Sequence, residues 1–246
     1  MTDRYFADTP ISGEKATLVG TEAHHLIHVM RLKPGDRVVL FDGSGAEFTA
    51  QVARLRRAEA ELAILARHEV DRELPVDLTL AVALPKGERQ RWLVEKAVEL
   101  GVKRLVPLET ERSVARPGER TLGRLRRAVI EASKQCGRNR LMEIAESQPW
   151  RDFVDRTQRA PLRLLAHARN RAAETERFAA EKSWASLGSS HGVVLAVGPE
   201  GGFTDNEITL ATSAGWQLVD LGPRTLRTET AAILLASIGA QRAEPI

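Results

Sequence analysis

Two stretches, VDLTLAVALPK (76–86) and GVVLAVG (192–198), are apolar almost without interruption. A strand with one wet face alternates apolar and polar residues. A strand buried on both faces does not. Such strands need helices on either side, and helical patterns follow them here. ERQRWLVEKAVEL (88–100) carries Trp92, Leu93, Lys96, Ala97 and Leu100 along one side, with Gly101 as its stop. TLGRLRRAVIEASKQCGR (121–138) places Leu122, Leu125, Val129, Ala132 and Cys136 at helical spacing. VKRLVPL (102–108), LRLLAHA (162–168) and QLVDLG (217–222) read as further strands, and ETERFAAEKSWASL (174–187) as a helix. Strands alternating with helices predict an α/β fold with a mostly parallel sheet covered on both faces.

The first part of the chain follows another pattern. RVVLFDGSG (37–45) is a strand that ends in an Asp-Gly turn, and AEFTAQVARL (46–55) and AELAILARHEV (60–70) alternate in part. An early strand, ATLV, and a short helix in EAHHLIHVMRL (22–32) precede them. Short strands around one short helix suggest a small barrel. RHEVDRELP (67–75) reads as the linker, which divides the chain into 1–72 and 73–246.

The chain has one cysteine, Cys136, which excludes an internal disulfide and disfavours a zinc cluster. Helical spacing makes it a core thiol beside Val129 and Ala132. The charged start, MTDRYFADTP, argues against a secretory signal. The longest apolar stretch, Ala231 to Ile238, is far short of the about 20 residues that span a bilayer. These features lead us to expect a cytoplasmic protein without membrane or metal. Net charge is +3, yet residues 86–140 hold 15 Lys and Arg against 7 Glu. That local excess fits a phosphate-facing surface, though charge alone slightly favours a solvated helix face. Residues 1–74 carry 10 basic and 12 acidic side chains, so any RNA contact there is a local patch.

Two loops carry the chemistry. In VGPEGGFTDNEI (197–208) a buried strand delivers Gly198, Pro199, Glu200, Gly201 and Gly202, and Thr204 with Glu207 spells a capping box that starts a helix. Glycines let backbone approach a ligand closely, and ligands of open α/β sheets sit beyond the carboxyl ends of strands. LGPRTLRTETAAILLA (221–236) repeats that geometry one unit later, as if two adjacent strand ends set two ligand loops side by side. Arg224 and Arg227 fit surface solvation, or an ion pair with Glu229, as well as they fit function.

Neither loop has the G-x-G-x-x-G order of dinucleotide folds, and LPKGERQ (84–90) lacks the order of a phosphate loop. HHLIH (24–28) lacks the glutamate of a zinc-protease helix. Ser113 and Ser133 have no evident His/Asp partners. Three classes remain: an RNA methyltransferase, a non-catalytic RNA-binding or ribosome-assembly protein, and a small-molecule α/β enzyme. The paired loops oppose the second class. The missing nucleotide motifs oppose the third.

VGPEGGFTDNEI followed by LGPRTLRTETAAILLASI resembles the paired C-terminal motifs of the RsmE family. EAHHLIHVMRLKPGDRVVLFDGSG, LPKGERQRWLVEKAVELGVKRLVPLETERSV and EASKQCGRNR resemble its earlier segments, in order. The match covers nearly the whole chain. It departs at Leu141-Met142, where the family pattern has a proline. The resemblance implies a SPOUT α/β methyltransferase domain with a deep trefoil knot (73–246) behind a PUA-like, RNA-contacting β-barrel (1–72). It implies a homodimer that uses S-adenosylmethionine to methylate N3 of uridine 1498 of 16S rRNA in the assembled 30S subunit.

Carried over by position, the cofactor residues are Leu165, Ala166, His167, Gly198, Pro199, Glu200, Gly201, Gly202, Leu221, Gly222, Leu226, Arg227, Thr228, Thr230 and Ala231. Under this resemblance Arg227 stabilises charge on the uracil oxygens, Glu229 orients Arg227 or pairs with backbone, and Glu200 is a second candidate base. Arg4, Arg31, Lys33, Lys86, Arg89, Arg112, Arg138 and Arg224 are the candidate RNA contacts.

Overall fold

The computed structural model describes residues 3–167 and 192–243. The helix expected at 174–187 lies outside the described residues. The chain forms two compact units. One comprises Met1–Glu73 with Ile130–Leu141, and the other Leu74–Val129 with Met142–Ile246.

The first unit is a five-stranded sheet. Its strands are β1 (Arg4–Phe6), β2 (Lys15–Val19), β3 (Arg37–Phe41), β4 (Ala46–Leu55) and β5 (Glu59–Glu69), in the order β1-β3-β4-β5-β2. Only β1 and β3 run parallel. Alternation in β4 sends Ala46, Phe48, Ala50 and Val52 inward, onto Tyr5, Leu18, Leu26, Val38, Leu40 and Leu62. Register shifts at Thr49/Ala50 and Val52/Arg54 are the irregularities that bend a sheet and raise its twist.

The short helix expected over 22–32 begins earlier, as α1 (Gly20–His24). It then widens into a π-helical turn, His25–Val29. Arg31 follows with φ 55°, which ends the helical path. The strand β1 was not expected, because three residues carry too little pattern to show alternation.

Ile130–Leu141 packs in this unit through polar side chains. Lys134 Nζ lies 2.9 Å from Glu22, Arg138 Nε donates to Glu73 at 3.0 Å, and Arg4 donates to Asn139 at 2.7 Å. Cys136 is half-buried and unpaired by any disulfide, so it lies at the margin of the core rather than within it.

The second unit is a parallel sheet of β6 (Leu78–Val82), β7 (Arg104–Glu109), β8 (Glu143–Ile144), β10 (Leu162–Ala166), β11 (Val193–Val197) and β12 (Gln217–Val219), with β9 (Gln148–Pro149) also on β7. The order is β12-β10-β11-β6-β7-β8. Its helices are α2 (Arg89–Glu99), α3 (Glu119–Cys136, which passes into the first unit at Ile130), α4 (Trp150–Arg156), α5 (Asp205–Ser213) and α6 (Thr228–Ala243). β11 is buried along its whole length, as its unbroken apolar sequence requires.

Helix α2 buries Gln90, Leu93, Val94, Ala97 and Val98, a stripe at i, i+3, i+4, i+7 and i+8. Trp92, expected on the buried side, is 44% exposed, because that stripe turns it outward. Helix α4 was not foreseen. Trp150, Phe153 and Val154 mark one buried face over barely two turns, and they meet Phe203 and Trp216 in an aromatic cluster.

The two loop-bearing strands are not neighbours. β10 lies between β11 and β12, paired in parallel with both. The expectation of adjacent strand ends therefore fails in detail. Chain order suggested consecutive strands, and the sheet inserts an earlier one between them.

Candidate functional site

Parallel strands aim all their carboxyl ends at one edge of the sheet. Beyond that edge in the second unit lies a cavity of about 410 Å³. Its floor is the end of β10, Ala166 and His167, with the His167 amide held on Val219 at 3.0 Å. One wall is Val197–Phe203, and the other is Asp220–Gly222 with Arg224–Leu226, Thr228 and Ala231. The inserted strand thus spaces the two loops apart, and the gap becomes the pocket.

Local chemistry fixes each wall. At Gly198 a Cβ would lie 2.9 Å from the Phe203 ring, so this position takes no side chain without moving a buried aromatic. The Gly202 amide donates to Pro199 O at 2.8 Å, which closes a tight turn. The capping box forms as the sequence predicts. Thr204 Oγ1 accepts from the Glu207 amide at 3.4 Å, and Glu207 Oε2 accepts from the Thr204 amide at 2.9 Å. Glu207 Oε1 also accepts from the Glu111 amide at 2.9 Å, and Arg112 Nη1 donates to Gly201 O at 2.7 Å. These bonds fasten the loop after β7 to the glycine wall. On the other wall, Asp220 Oδ1 accepts from the Gly222 amide at 2.9 Å. The Thr228 hydroxyl crosses to Gly198 O at 3.3 Å, tying one wall to the other.

Most of the residues assigned to a cofactor from the sequence meet at this cavity: Ala166, His167, Gly198 to Gly202, Leu221, Gly222, Leu226, Thr228 and Ala231. Three do not line it. Leu165 is fully buried in the sheet core, while Arg227 and Thr230 face solvent. Arg112 and Arg224, assigned to RNA, sit on its rim. Phe203, Asp205 and Asp220 line it without having been singled out. Asp220 had a signal, as the last residue of a strand before Gly-Pro.

Among the assigned catalytic residues, Glu229 is buried at 6% exposure and Glu200 is exposed. Glu229 is not paired with Arg227. Its partner is Arg89, whose Nη1 lies 3.4 Å from Glu229 Oε2 and whose Nη2 lies 3.3 Å from Glu200 Oε1. Glu229 is the second residue of α6, two positions from Arg227. At that separation a helix start sends side chains to different sides. Among the described residues the side chains of Arg224 and Arg227 form no hydrogen bond or ion pair, while the Arg227 carbonyl accepts from the Ala231 amide at 2.9 Å.

The other assigned RNA contacts divide by surroundings. Arg31, Lys33 and Lys86 are exposed. Arg4 is held by Glu47 at 2.9 Å, and Arg138 is 4% exposed with Glu73 along its guanidinium. A buried, paired arginine does not present its charge to phosphate, so Arg138 leaves that set. Among the described residues no group of three or more His, Cys, Asp or Glu could hold a metal ion, and no helix is long and apolar enough to cross a membrane.

Comparison with known proteins agrees with this geometry. An RNA methyltransferase domain family matches residues 72–240, and an RNA methyltransferase PUA domain family matches residues 18–65. Ribosomal RNA small subunit methyltransferase E of Synechocystis is 37% identical over 226 residues, covering 91% of this chain and 72% of that protein. The protein of the same name from Bacillus subtilis is 28% identical, covering 90% and 88%. The crystal structure of ribosomal RNA small subunit methyltransferase E from Neisseria gonorrhoeae bound to S-adenosyl methionine superposes with a TM-score of 0.85 at 32% identity, over 98% of each chain. The α/β unit with its glycine-walled cavity is therefore a SPOUT-type methyltransferase fold and the other unit a PUA-like curled sheet, and the chain belongs to the RsmE family of ribosomal RNA small subunit methyltransferases.

Proposed function

We propose that this chain transfers a methyl group from S-adenosylmethionine to N3 of one uridine, position 1498, in 16S rRNA of the assembled 30S subunit. The observation that carries the reading is the cavity between the two loops. Its volume falls within the usual range for small-molecule sites. Glycine backbone on one wall and Asp220, Leu221 and Gly222 on the other suit the flat base and hydroxylated sugar of an adenosyl group. Ala166, His167, Gly198–Gly202, Leu221, Leu226 and Thr228 would hold that group. When bound, it supplies a methyl carbon already activated by its sulfonium.

The protein's share is then positional and electrostatic. The walls hold the ligand and exclude water. Arg224 on the rim and Arg227 beside it are exposed and unpaired among the described residues, which suits a uracil edge and an RNA phosphate. Arg227 stabilises negative charge on the uracil oxygens as the N3 proton leaves. Glu200 lines the cavity and is the better placed of the two carboxylates to receive that proton. Arg31 and Lys33 on the first unit, and Lys86 and Arg112 on the second, supply phosphate contacts.

We also infer a homodimer. Trp92 on α2 and Leu234 on α6 are 44% and 38% exposed, on helices that pack together. Large apolar side chains in that setting suit a second copy. Such a protein acts in the cytoplasm, where ribosomes assemble.

The test is transfer of a labelled methyl group from S-adenosylmethionine to 30S subunits from cells lacking the modification. Label in 16S rRNA supports the reading. Binding of the subunit without transfer favours a non-catalytic RNA-binding protein. Failure to bind the cofactor favours a different small-molecule enzyme.

A further inference from the structure

We propose that Arg89 is a positioning residue of the transfer site, a clamp that holds the two walls of the cavity in register. The proposal rests on the reading of the cavity as the methyl-donor site. Arg89 opens α2, well away in sequence from either wall. Its two terminal nitrogens diverge, one towards Glu200 on the glycine wall and one towards Glu229 at the start of α6. A planar guanidinium can hold two carboxylates at once in a fixed fork, whereas an ammonium is a point charge.

The anchor of the clamp is fixed. Gln90, 6% exposed, donates its side-chain amide to Pro85 O at 2.7 Å, which pins the turn between β6 and α2. Gly87 in that turn has φ 71°, a conformation open to glycine at little cost. Arg89 thus reaches the walls from a braced position.

The two carboxylates differ in what they need. Glu200 is exposed, and its pair with Arg89 adds little to stability in water. Glu229 is 8% exposed at its side chain, and a buried carboxylate without a partner is strongly disfavoured. Among the described residues Arg89 is the side chain that hydrogen-bonds it. The amide end of α6 favours the same negative charge. Glu229 follows Thr228, whose hydroxyl makes the cross-wall bond to Gly198. Holding Glu229 therefore holds Thr228, and holding Glu200 holds the turn whose backbone faces the ligand. This role differs from a phosphate contact, because both terminal nitrogens of Arg89 already donate to carboxylates.

The experiment measures amide hydrogen exchange of the ligand-free protein, S-adenosylmethionine affinity by calorimetry, and steady-state methylation of 30S subunits. It compares wild type, Arg89→Gln, Arg89→Lys, Glu229→Gln and the Arg89→Gln/Glu229→Gln double variant. In Arg89→Gln, exchange rises at 200–202, 222 and 224–228 while strands β6 and β11 stay protected. The cofactor Kd rises about tenfold and kcat falls, with KM for the subunit little changed. Arg89→Lys recovers part of the loss. In the double variant, Arg89→Gln costs less than it does alone, because its buried partner no longer carries charge. Unchanged exchange in both loops would overturn the clamp, whether or not the cofactor binds. An unchanged cofactor Kd with a raised subunit KM and a shallower salt dependence would make Arg89 a phosphate contact instead. Wild-type protein that binds no S-adenosylmethionine counts against the functional reading, and the exchange data then decide the clamp separately.

Discussion

A methyl group at Gly198 would press on the Phe203 ring, which is itself packed on Trp150 with ring centroids 4.7 Å apart. Gly198→Ala is expected to destabilise the protein by about 1–3 kcal/mol, the usual cost of overpacking, and to weaken cofactor binding as the wall shifts. Chemical denaturation and calorimetry measure the two effects, and a variant as stable as wild type would show that the aromatic cluster yields. Arg227 lies outside the cavity lining and in solvent, so Arg227→Ala should abolish most turnover while leaving cofactor affinity nearly unchanged. Equal loss of both would place this arginine in ligand binding instead. The sequence made the glycines, the arginines and both loops visible, because each signal lies within a few residues. It did not show Arg89 as the partner of Glu200 and Glu229, which lie 111 and 140 residues further along the chain. Charge pairing across such separations depends on the fold and leaves no local pattern.

The capping box before α5 was legible because its two residues sit three apart and bond to each other's backbone. Thr204→Ala removes one side of it and should cost about 1 kcal/mol, read from the denaturation midpoint. A larger loss at Glu207 is expected, since its carboxylate also holds the Glu111 amide. The strands of the second unit were legible for a different reason, their burial on both faces. Their order was not. Which strand enters between β11 and β12 is settled by long-range packing, and that insertion is what opens the cavity. Helix α4 escaped notice because seven residues give barely two periods of a pattern.

In the first unit, Glu47 receives hydrogen bonds from Arg4 and Arg72. Burial works against its ionised form, but those bonds outweigh burial and lower its pKa below the ordinary 4.5. A depressed folded value means that the stabilisation is present above the unfolded value and is lost as pH falls through the folded one. The thermal midpoint should therefore drop on acidification below pH 4.5, and Glu47→Gln should flatten that drop. Parallel curves for the two proteins would contradict the assignment.

At the scale of the whole molecule, function is read from the chain's charge as well as its cavity. The net +3 conceals a basic excess in residues 86–140 and a slightly acidic stretch over residues 1–74. Subunit binding should weaken with salt, but with a slope that reflects a few phosphate contacts rather than a general field. The fold class was legible in the strand–helix alternation and a small β unit in its short strands, while the PUA-like type of that unit came from the family resemblance and not from periodicity. Less legible was the placement of Ile130–Leu141, since the helical pattern crosses Ile130 without a break while the contacts pass to the first unit. The central claim is methylation of one uracil nitrogen, and N3 methylation blocks the pairing edge that reverse transcriptase reads. The most direct measurement is primer extension along 16S rRNA from unmodified 30S subunits, incubated with S-adenosylmethionine and either wild-type protein or Arg227→Ala. The account predicts one new stop next to a single uridine with wild type and almost none with the variant. Labelled 16S rRNA without a stop would place the methyl group on another atom and contradict it.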